Sequence, residues 1–115
     1  MYIELYLYPV KIENQDSFLK INREAEQIYR EFGTLESETY IATSTNAQYG
    51  CLGMDSAIEL LENEIVMIEI NRYKNKEHQI EVLNKVDNNE RIGELYNEVI
   101  KVIDIERTVR GEFKV

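Results

Sequence analysis

The sequence has 115 residues, and 22 Asp and Glu against 13 Lys and Arg give a formal net charge of −9 at pH 7. This length suits one domain, and a hydrophobic content of 43% supports a packed core and argues against disorder. The acidic balance argues against nucleic acid and anionic membranes as partners, while one Cys and one His exclude an internal disulfide and multi-Cys or multi-His metal sites within the chain.

No membrane or targeting segment is expected. Glu4 stands where a secretion signal needs basic residues followed by an apolar run. The longest purely apolar stretch runs only from Ile65 to Ile68, whereas a spanning helix needs roughly 20 residues. We therefore expect a cytoplasmic protein in a reducing environment.

The first third of the chain predicts a strand and a helix. Residues Tyr2 to Val10 alternate, with Ile3, Leu5 and Leu7 on one face and Tyr2, Glu4, Tyr6 and Tyr8 on the other. A helix follows, capped by Asp16 or Ser17 and ended by Gly33. Its apolar stripe consists of Phe18, Ile21, Ala25, Ile28, Tyr29 and Phe32.

The middle of the chain predicts two strands joined by a long loop. The Thr- and Tyr-rich run centred on Glu36 to Thr43 favours a strand, and residues 46–56 favour a loop. Ala57 to Leu61 is ambiguous between a helical turn and a short extended piece. Ile65 to Tyr73 is a strand with Val66, Ile68 and Ile70 on its apolar face.

The last third predicts two helices and a closing strand. Asn75 caps a helix over Lys76 to Val86, with Ile80, Leu83 and Val86, and also Val82, as candidates to face inward. After Asp87-Asn88-Asn89, a second helix spans Glu90 to Ile103 and buries Ile92, Leu95, Tyr96, Val99 and Ile103. Glu106 to Val115 is a strand in which Gly111 indicates a bulge or a close backbone approach.

This order of elements predicts the fold. The sequence β-α-β-β-α-α-β is that of a ferredoxin-like α+β domain, with a four-stranded antiparallel sheet and helices on one face. No linker or repeat interrupts it, so residues 1–115 are expected to form a single domain.

The second sheet face is expected to form a dimer interface. We predict that the helices cover the Ile3, Leu5 and Leu7 face, which leaves the Tyr-bearing face open. The residues predicted for the interface are Tyr2, Glu4, Tyr6, Tyr8, Met67 and Glu69. A large apolar patch marks an interface, and a second copy packed sheet to sheet would cover it. The alternative is that the Tyr rings lie flat on a wetted sheet with their hydroxyls in water.

The chain resembles the YbaA-like family of small uncharacterised bacterial proteins, within the dimeric α+β barrel superfamily. The matching residues are Met1-Tyr2, Pro9-Val10, Gly33-Thr34-Leu35-Glu36, Ala57, Leu60, Glu64, Val66, Tyr73-Lys74-Asn75, His78, Lys85-Val86, Arg91, Arg107, Gly111 and Phe113. It departs from the family at Met54-Asp55-Ser56, where the family has Phe-Pro-Arg, and at Ile70, where the family has Trp.

The resemblance implies a fold and a homodimer rather than a reaction. The superfamily includes cofactor-independent and haem-degrading monooxygenases, as well as members that only bind or sense. The haem-degrading branch uses Asn, Trp and His around a pocket between helices and sheet, but this chain has no Trp. Fold-level analogy alone does not establish the activity.

Two side chains are candidates for catalysis. His78 could be a haem ligand or general base, or it could bond near its helix cap or to a neighbouring loop. Glu69 could act as an acid or base if buried, together with Asn71, Glu4 and Tyr6 between protomers. The alternative for these four residues is a hydrogen-bond network that sets the register of the dimer.

Other reactive or charged residues favour structural roles. Cys51 lies in the loop without a basic neighbour that would activate its thiol, so it is expected to be inert. A basic group could bind an anion, or could form salt bridges with the many carboxylates. Its members are Arg72, Lys74, Lys76, Arg107 and Arg110.

The sequence therefore predicts a cytoplasmic homodimer that binds a small molecule or is non-catalytic. The ligand is unknown, and Tyr6, Asn71 and Tyr73 are candidates to contact it. No cofactor, metal, nucleic acid or membrane is expected. The alternative is a monooxygenase-like enzyme that acts on an aromatic or haem-type substrate in a cavity between sheet and helices.

Overall fold

The computed structural model describes residues 1–115 and contains one antiparallel sheet of four strands. The spatial order is β2-β3-β1-β4, which confirms the predicted ferredoxin-like α+β fold. The strands are β1 (Tyr2–Lys11), β2 (Glu36–Ile41), β3 (Glu64–Tyr73) and β4 (Val109–Lys114). The helices are α1 (Gln15–Glu31), α2 (Met54–Ala57), α3 (Lys76–Asp87) and α4 (Glu90–Val99). None of the helices is long and apolar enough to cross a bilayer.

Two of the three predicted helix caps are found. Gly33 has φ +111°, a conformation that favours glycine directly after a helix. Asn75 caps α3, because its Oδ1 accepts a hydrogen bond from the His78 backbone N–H at 2.8 Å. The predicted start of α1 is wrong: a 3-10 turn over Ile12–Asn14 leads directly into the helix, so Asp16 and Ser17 lie inside it.

The segment between α4 and β4 is less regular than predicted. The helix ends at Val99, and a 3-10 turn over Ile105–Arg107 precedes β4. Asp104 begins that turn by accepting a hydrogen bond from the Glu106 backbone N–H at 3.3 Å. At Gly111 the strand pairing continues without a bulge, opposite Leu5. A Cβ at Gly111 would lie 3.0 Å from the Phe113 ring, which is the close approach that a glycine permits.

The helices cover the Tyr-bearing face of the sheet, and the sequence-based prediction of the opposite face is wrong. Tyr8 and Met67 lie side by side on β1 and β3 and pack with Phe18 and Leu19 of α1 in the main core cluster. Met67 is completely buried within this single chain. The helices can cover the Tyr-bearing face because α1 also buries Asn22 there. Asn22 gives the buried Glu69 on that face a hydrogen-bond donor.

The open face of the sheet is therefore aliphatic. Its apolar side chains come from all four strands and are at least partly exposed: Ile3, Leu5, Leu7, Tyr40, Ile68, Ile70, Val109 and Phe113. The charged side chains of Glu36, Glu38 and Arg72 share this face on the β2 side of the sheet. Both core clusters lie on the other face. Only at one end, at Pro9 and Val66, is the aliphatic face buried.

The last two helices leave a space above the sheet. In α3 the buried apolar residues are Val82 and Val86, whereas Ile80, predicted to face inward, is exposed. Helix α4 packs chiefly on α1 and α3 rather than on the sheet. Leu95 is the only buried residue of α4. The other apolar side chains of α4 border the space between this helix and the sheet.

Candidate functional site

A cavity of about 360 Å³ lies between the sheet and the helices α1 and α4. Strands β1, β3 and β4 form its floor, and the segment after α4 closes one side. Eleven of its fifteen lining residues are hydrophobic: Tyr6, Tyr8, Ile21, Ala25, Tyr29, Ile92, Leu95, Tyr96, Val99, Ile103 and Ile105. The four polar ones are Asn22, Glu69, Thr108 and Arg110. This volume and this mixture are typical of sites for small organic molecules.

Four tyrosines give the cavity an aromatic wall. The rings of Tyr6 and Tyr8 are stacked on the floor, with centroids 5.9 Å apart and planes 11° from parallel. Tyr29 reaches the cavity from α1 and Tyr96 from α4. A flat ring system would therefore find aromatic contacts on both sides of the space.

Glu69 is the polar centre of the cavity floor. Its Oε1 accepts hydrogen bonds from the Tyr8 hydroxyl at 2.8 Å and from Asn22 Nδ2 at 3.0 Å. Its Oε2 accepts one from Asn71 Nδ2 at 2.8 Å. The residue is only 8% exposed. A carboxylate offers about four acceptor positions, so this arrangement holds it rigidly and leaves room for one further donor.

A second buried carboxylate lies behind Asn22. The amide of Asn22 also donates to Thr39 Oγ1 at 2.8 Å, and that hydroxyl donates to Glu26 Oε2 at 3.2 Å. Burial, together with the nearby charges of Glu69 and Glu38, raises the pKa of Glu26 to about 8. Glu26 therefore holds a proton near neutral pH.

Arg110 borders the cavity on the β4 side. Its guanidinium lies 5.5 Å from the centre of the Tyr6 ring and pairs with Glu112 at 2.9 Å and Glu4 at 3.4 Å. Burial raises the pKa of Glu4, whose Oε1 accepts the Tyr73 hydroxyl at 2.9 Å. Hydrogen bonds from Tyr2, Arg110 and Lys76 hold the pKa of Glu112 well below its usual range.

The structure brings together some of the residues predicted for catalysis or ligand binding. Tyr6 and Glu69 line the cavity, and Asn71 lies one hydrogen bond behind Glu69. Tyr73 does not line it, because its ring packs with Val82 and Val86 in the second core cluster.

The residues predicted for the dimer interface lie under the helices of their own chain. Tyr6, Tyr8 and Glu69 line the cavity. Glu4 and Met67 are buried, and Tyr2 packs against the second core cluster. These side chains are therefore covered without a second copy.

His78 is not part of the cavity. Its Nδ1 accepts a hydrogen bond from the Lys74 backbone N–H at 3.0 Å, and its ring stands edge-on to Tyr73 at 5.9 Å. His78 therefore bonds close to the N-terminal cap of α3, which is one of the two alternatives considered from the sequence. A haem ligand or general base in the cavity would have to come from another residue.

The basic residues are mostly engaged in ion pairs. Arg72 pairs with Glu36 at 2.6 Å, and Arg107 pairs with the buried Glu64 at 2.7 Å. Lys76 contacts Glu112 at 2.9 Å. These pairs favour salt bridging over anion binding. Cys51 is an exposed free thiol, and no group of three His, Cys, Asp or Glu side chains is arranged to hold a metal.

Sequence reasoning missed Asn22, Glu26 and Thr39. Asn22 and Glu26 follow Phe18 at intervals of four residues, so they continue the inward-facing row of α1. That spacing was the available signal, because a polar residue on an apolar row indicates a buried hydrogen-bond network.

Comparison with known proteins places the chain in a family and a fold. A family model described as a protein of unknown function, DUF1428, matches residues 1–102. A search of curated proteins finds no match.

Three solved structures illustrate the shared fold. A crystal structure of an antibiotic biosynthesis monooxygenase is 12% identical with a TM-score of 0.62, covering 100% of this chain and 98% of its own. An uncharacterised NIPSNAP domain protein from Burkholderia xenovorans is 12% identical with a TM-score of 0.59, covering 100% and 94%. A conserved protein from Methanosarcina mazei Go1 is 16% identical with a TM-score of 0.63, covering 99% and 92%. At these identities the likeness shows the fold.

Proposed function

We propose that this chain, which belongs to the DUF1428 family of proteins of unknown function, binds a small organic molecule in the cavity between its sheet and the helices α1 and α4. The observation that carries the proposal is an aromatic and aliphatic space of about 360 Å³ with a rigidly held carboxylate on its floor. Sites of this kind bury most of a ligand's surface and orient it by a few polar groups.

Binding of a neutral bicyclic probe tests the proposal. We expect 2-naphthylmethanol to bind one site per chain in a calorimetric titration. Ala25 lines the cavity on α1, so Ala25→Phe fills the space and should abolish binding. Ala57→Phe, an equal change at an exposed position on α2, should leave binding intact. Equal binding by wild type and Ala25→Phe, or no binding of neutral, cationic and anionic naphthyl probes alike by wild type, would contradict a cavity site.

The protein is further proposed to form a homodimer through the aliphatic face of the sheet. Ile3, Leu5, Leu7, Ile68 and Ile70 form a contiguous apolar strip that no helix covers. Patches of this kind favour association, and a second copy would cover the strip symmetrically. Light scattering should give twice the 13.6 kDa of one chain, and a mass of one chain would refute the dimer.

A monooxygenase-like enzyme acting on an aromatic substrate is the second candidate function. It is favoured by the fold shared with an antibiotic biosynthesis monooxygenase and by the presence of Glu69 in the cavity. Oxygen uptake with a phenolic probe such as 1-naphthol, lost in Glu69→Gln, would support it. Binding without oxygen uptake would support the non-catalytic function. The haem-type version lacks support from His78, which lies outside the cavity.

A further inference from the structure

We propose that the ligand of the cavity is an organic ammonium ion, an aromatic or alicyclic amine whose charged nitrogen pairs with Glu69 and Asn22 while its ring lies among the tyrosines. This inference rests on the proposed function, since it requires that the cavity binds a small molecule. It names the chemical class of that molecule.

The first observation is an uncompensated buried charge. Two of the other three buried glutamates contact cations: Glu64 pairs with Arg107 at 2.7 Å, and Glu4 with Arg110 at 3.4 Å. Glu69 is 8% exposed and forms no ion pair with Lys or Arg. Buried charges in proteins are normally paired, and here the missing partner would stand in the cavity.

The surroundings of Glu69 are also poor in positive charge. Arg110 is the only basic side chain that lines the cavity, and both Glu112 and Glu4 already neutralise it. Burial raises the pKa of Glu26 on α1, and the charge of Glu69 raises it in the same direction. A cation is therefore favoured in this space, and an anion is disfavoured.

The second observation is an acceptor without a donor. Asn22 is 9% exposed, and both hydrogens of its amide are used, since Nδ2 donates to Thr39 Oγ1 and to Glu69 Oε1. The Thr39 hydroxyl donates to Glu26, which fixes the orientation of the Asn22 amide. No hydrogen bond within the chain reaches Asn22 Oδ1, which keeps some exposed surface, and Glu69 Oε2 accepts only one.

The open positions on Asn22 and Glu69 are thus both acceptors. An ammonium group has three donors and one positive charge, which matches a carboxylate beside an amide oxygen. The aromatic wall adds to this preference, because the faces of tyrosine rings attract cations. Tyr29 and Tyr96 contribute rings from the two helices above the floor.

Three probes of nearly equal shape test the proposal at pH 7. They are 2-naphthylmethylamine, which is cationic, 2-naphthylmethanol, which is neutral, and 2-naphthoate, which is anionic. We expect the amine to bind at least tenfold more tightly than the alcohol, and 2-naphthoate to bind most weakly. Equal affinities of amine and alcohol, or a preference for 2-naphthoate, would overturn the ammonium proposal while leaving cavity binding intact. Failure of all three probes would overturn the cavity function itself.

A charge-neutral variant then assigns the preference to Glu69. In Glu69→Gln the shape is kept and the charge is removed, so the advantage of the amine over the alcohol should fall to threefold or less. Glu36→Gln removes a carboxylate from the opposite face of the sheet and should keep the full advantage. An unchanged amine preference in Glu69→Gln would contradict the assignment. If that variant does not fold, the three probes on the wild-type protein still decide the proposal.

Discussion

The hydroxyl of Tyr8 donates a hydrogen bond to Glu69 Oε1 across 2.8 Å, which joins the two central strands at the floor of the cavity. Burial raises the pKa of Tyr8 well above its usual range, and the adjacent Glu69 acts in the same direction, so Tyr8 remains a donor at neutral pH. The aromatic wall and the carboxylate are therefore connected by a hydrogen bond, so a substitution of Tyr8 also changes the surroundings of Glu69.

Removal of the Tyr8 hydroxyl should destabilise the protein. Tyr8→Phe keeps the stacked ring but takes one of three donors from a buried carboxylate, and hydrogen bonds to charged groups contribute about 1.5–3 kcal/mol. We expect a loss of that size in the free energy of unfolding measured with urea. Tyr49→Phe, at a side chain that is 95% exposed, is the matched control and should change it by less than about 0.5 kcal/mol. Equal values for the two variants would show that the bond is energetically unimportant.

Glu26 should make stability depend on pH. Its pKa is about 8 in the folded chain but near 4.3 when unfolded. The folded state therefore binds the proton more tightly, and this contribution is present at low pH and lost as the pH rises from about 4.3 to about 8. The slope is at most about 1.4 kcal/mol per pH unit.

Glu26→Gln mimics the protonated form and isolates this effect. The difference in unfolding free energy between Glu26→Gln and wild type should grow in favour of the variant between pH 5 and pH 8, as measured by urea titration. Glu31→Gln, an exposed change on the same helix, should give a profile parallel to wild type. A constant difference for Glu26→Gln across this range would mean that Glu26 is not protonated in the folded chain.

The ion pair between Arg91 and Glu24 should restrain α4 above the cavity. Arg91 Nε and Nη2 contact the two Glu24 oxygens at 2.5 and 2.9 Å and so link α4 to α1. Because the pair is half exposed, Arg91→Gln should lower global stability by less than about 1 kcal/mol. Hydrogen exchange in residues 90–99 should nevertheless rise by up to about fivefold. Lys85→Gln removes an ion pair within α3 alone and should leave hydrogen exchange in α4 unchanged. If Lys85→Gln raised exchange in α4 as much as Arg91→Gln does, the Arg91 pair would not be a specific restraint.

A charge on the aliphatic face should dissociate the proposed dimer. Leu5 lies at the centre of that face, opposite Ile70 on β3 and Gly111 on β4. In Leu5→Glu a partner sheet would have to bury an unpaired carboxylate, so light scattering should give the mass of one chain. Leu52→Glu, at an exposed loop position, should retain the mass of two. A dimeric Leu5→Glu would place the interface elsewhere.

The order of elements could be predicted from sequence because each has a local signal. Alternation marks β1 and β3, Asn75 caps α3, and Gly33 ends the turn after α1 with a positive φ. These signals depend on a few adjacent residues, and packing in the rest of the chain does not alter them.

The covered face of the sheet could not be predicted in the same way. Both faces of β1 carry large apolar side chains, so alternation identifies a strand without showing which face the helices cover. The choice depends on Asn22 and Glu26 of α1, whose partners Glu69 and Thr39 are distant in sequence. The cavity depends on where α4 lies relative to the sheet, which no local pattern specifies. Tyr6 and Glu69 were thus identified as candidates, but they were assigned to the wrong environment.

The most direct test of ammonium binding in the cavity is a crystal structure of the protein soaked with 2-naphthylmethylamine. We expect the naphthalene ring between the cavity floor and the tyrosines of α1 and α4. The nitrogen should lie about 3 Å from both Glu69 and Asn22 Oδ1. A ring bound outside the cavity, or an ammonium group turned away from Glu69, would contradict this mode of binding.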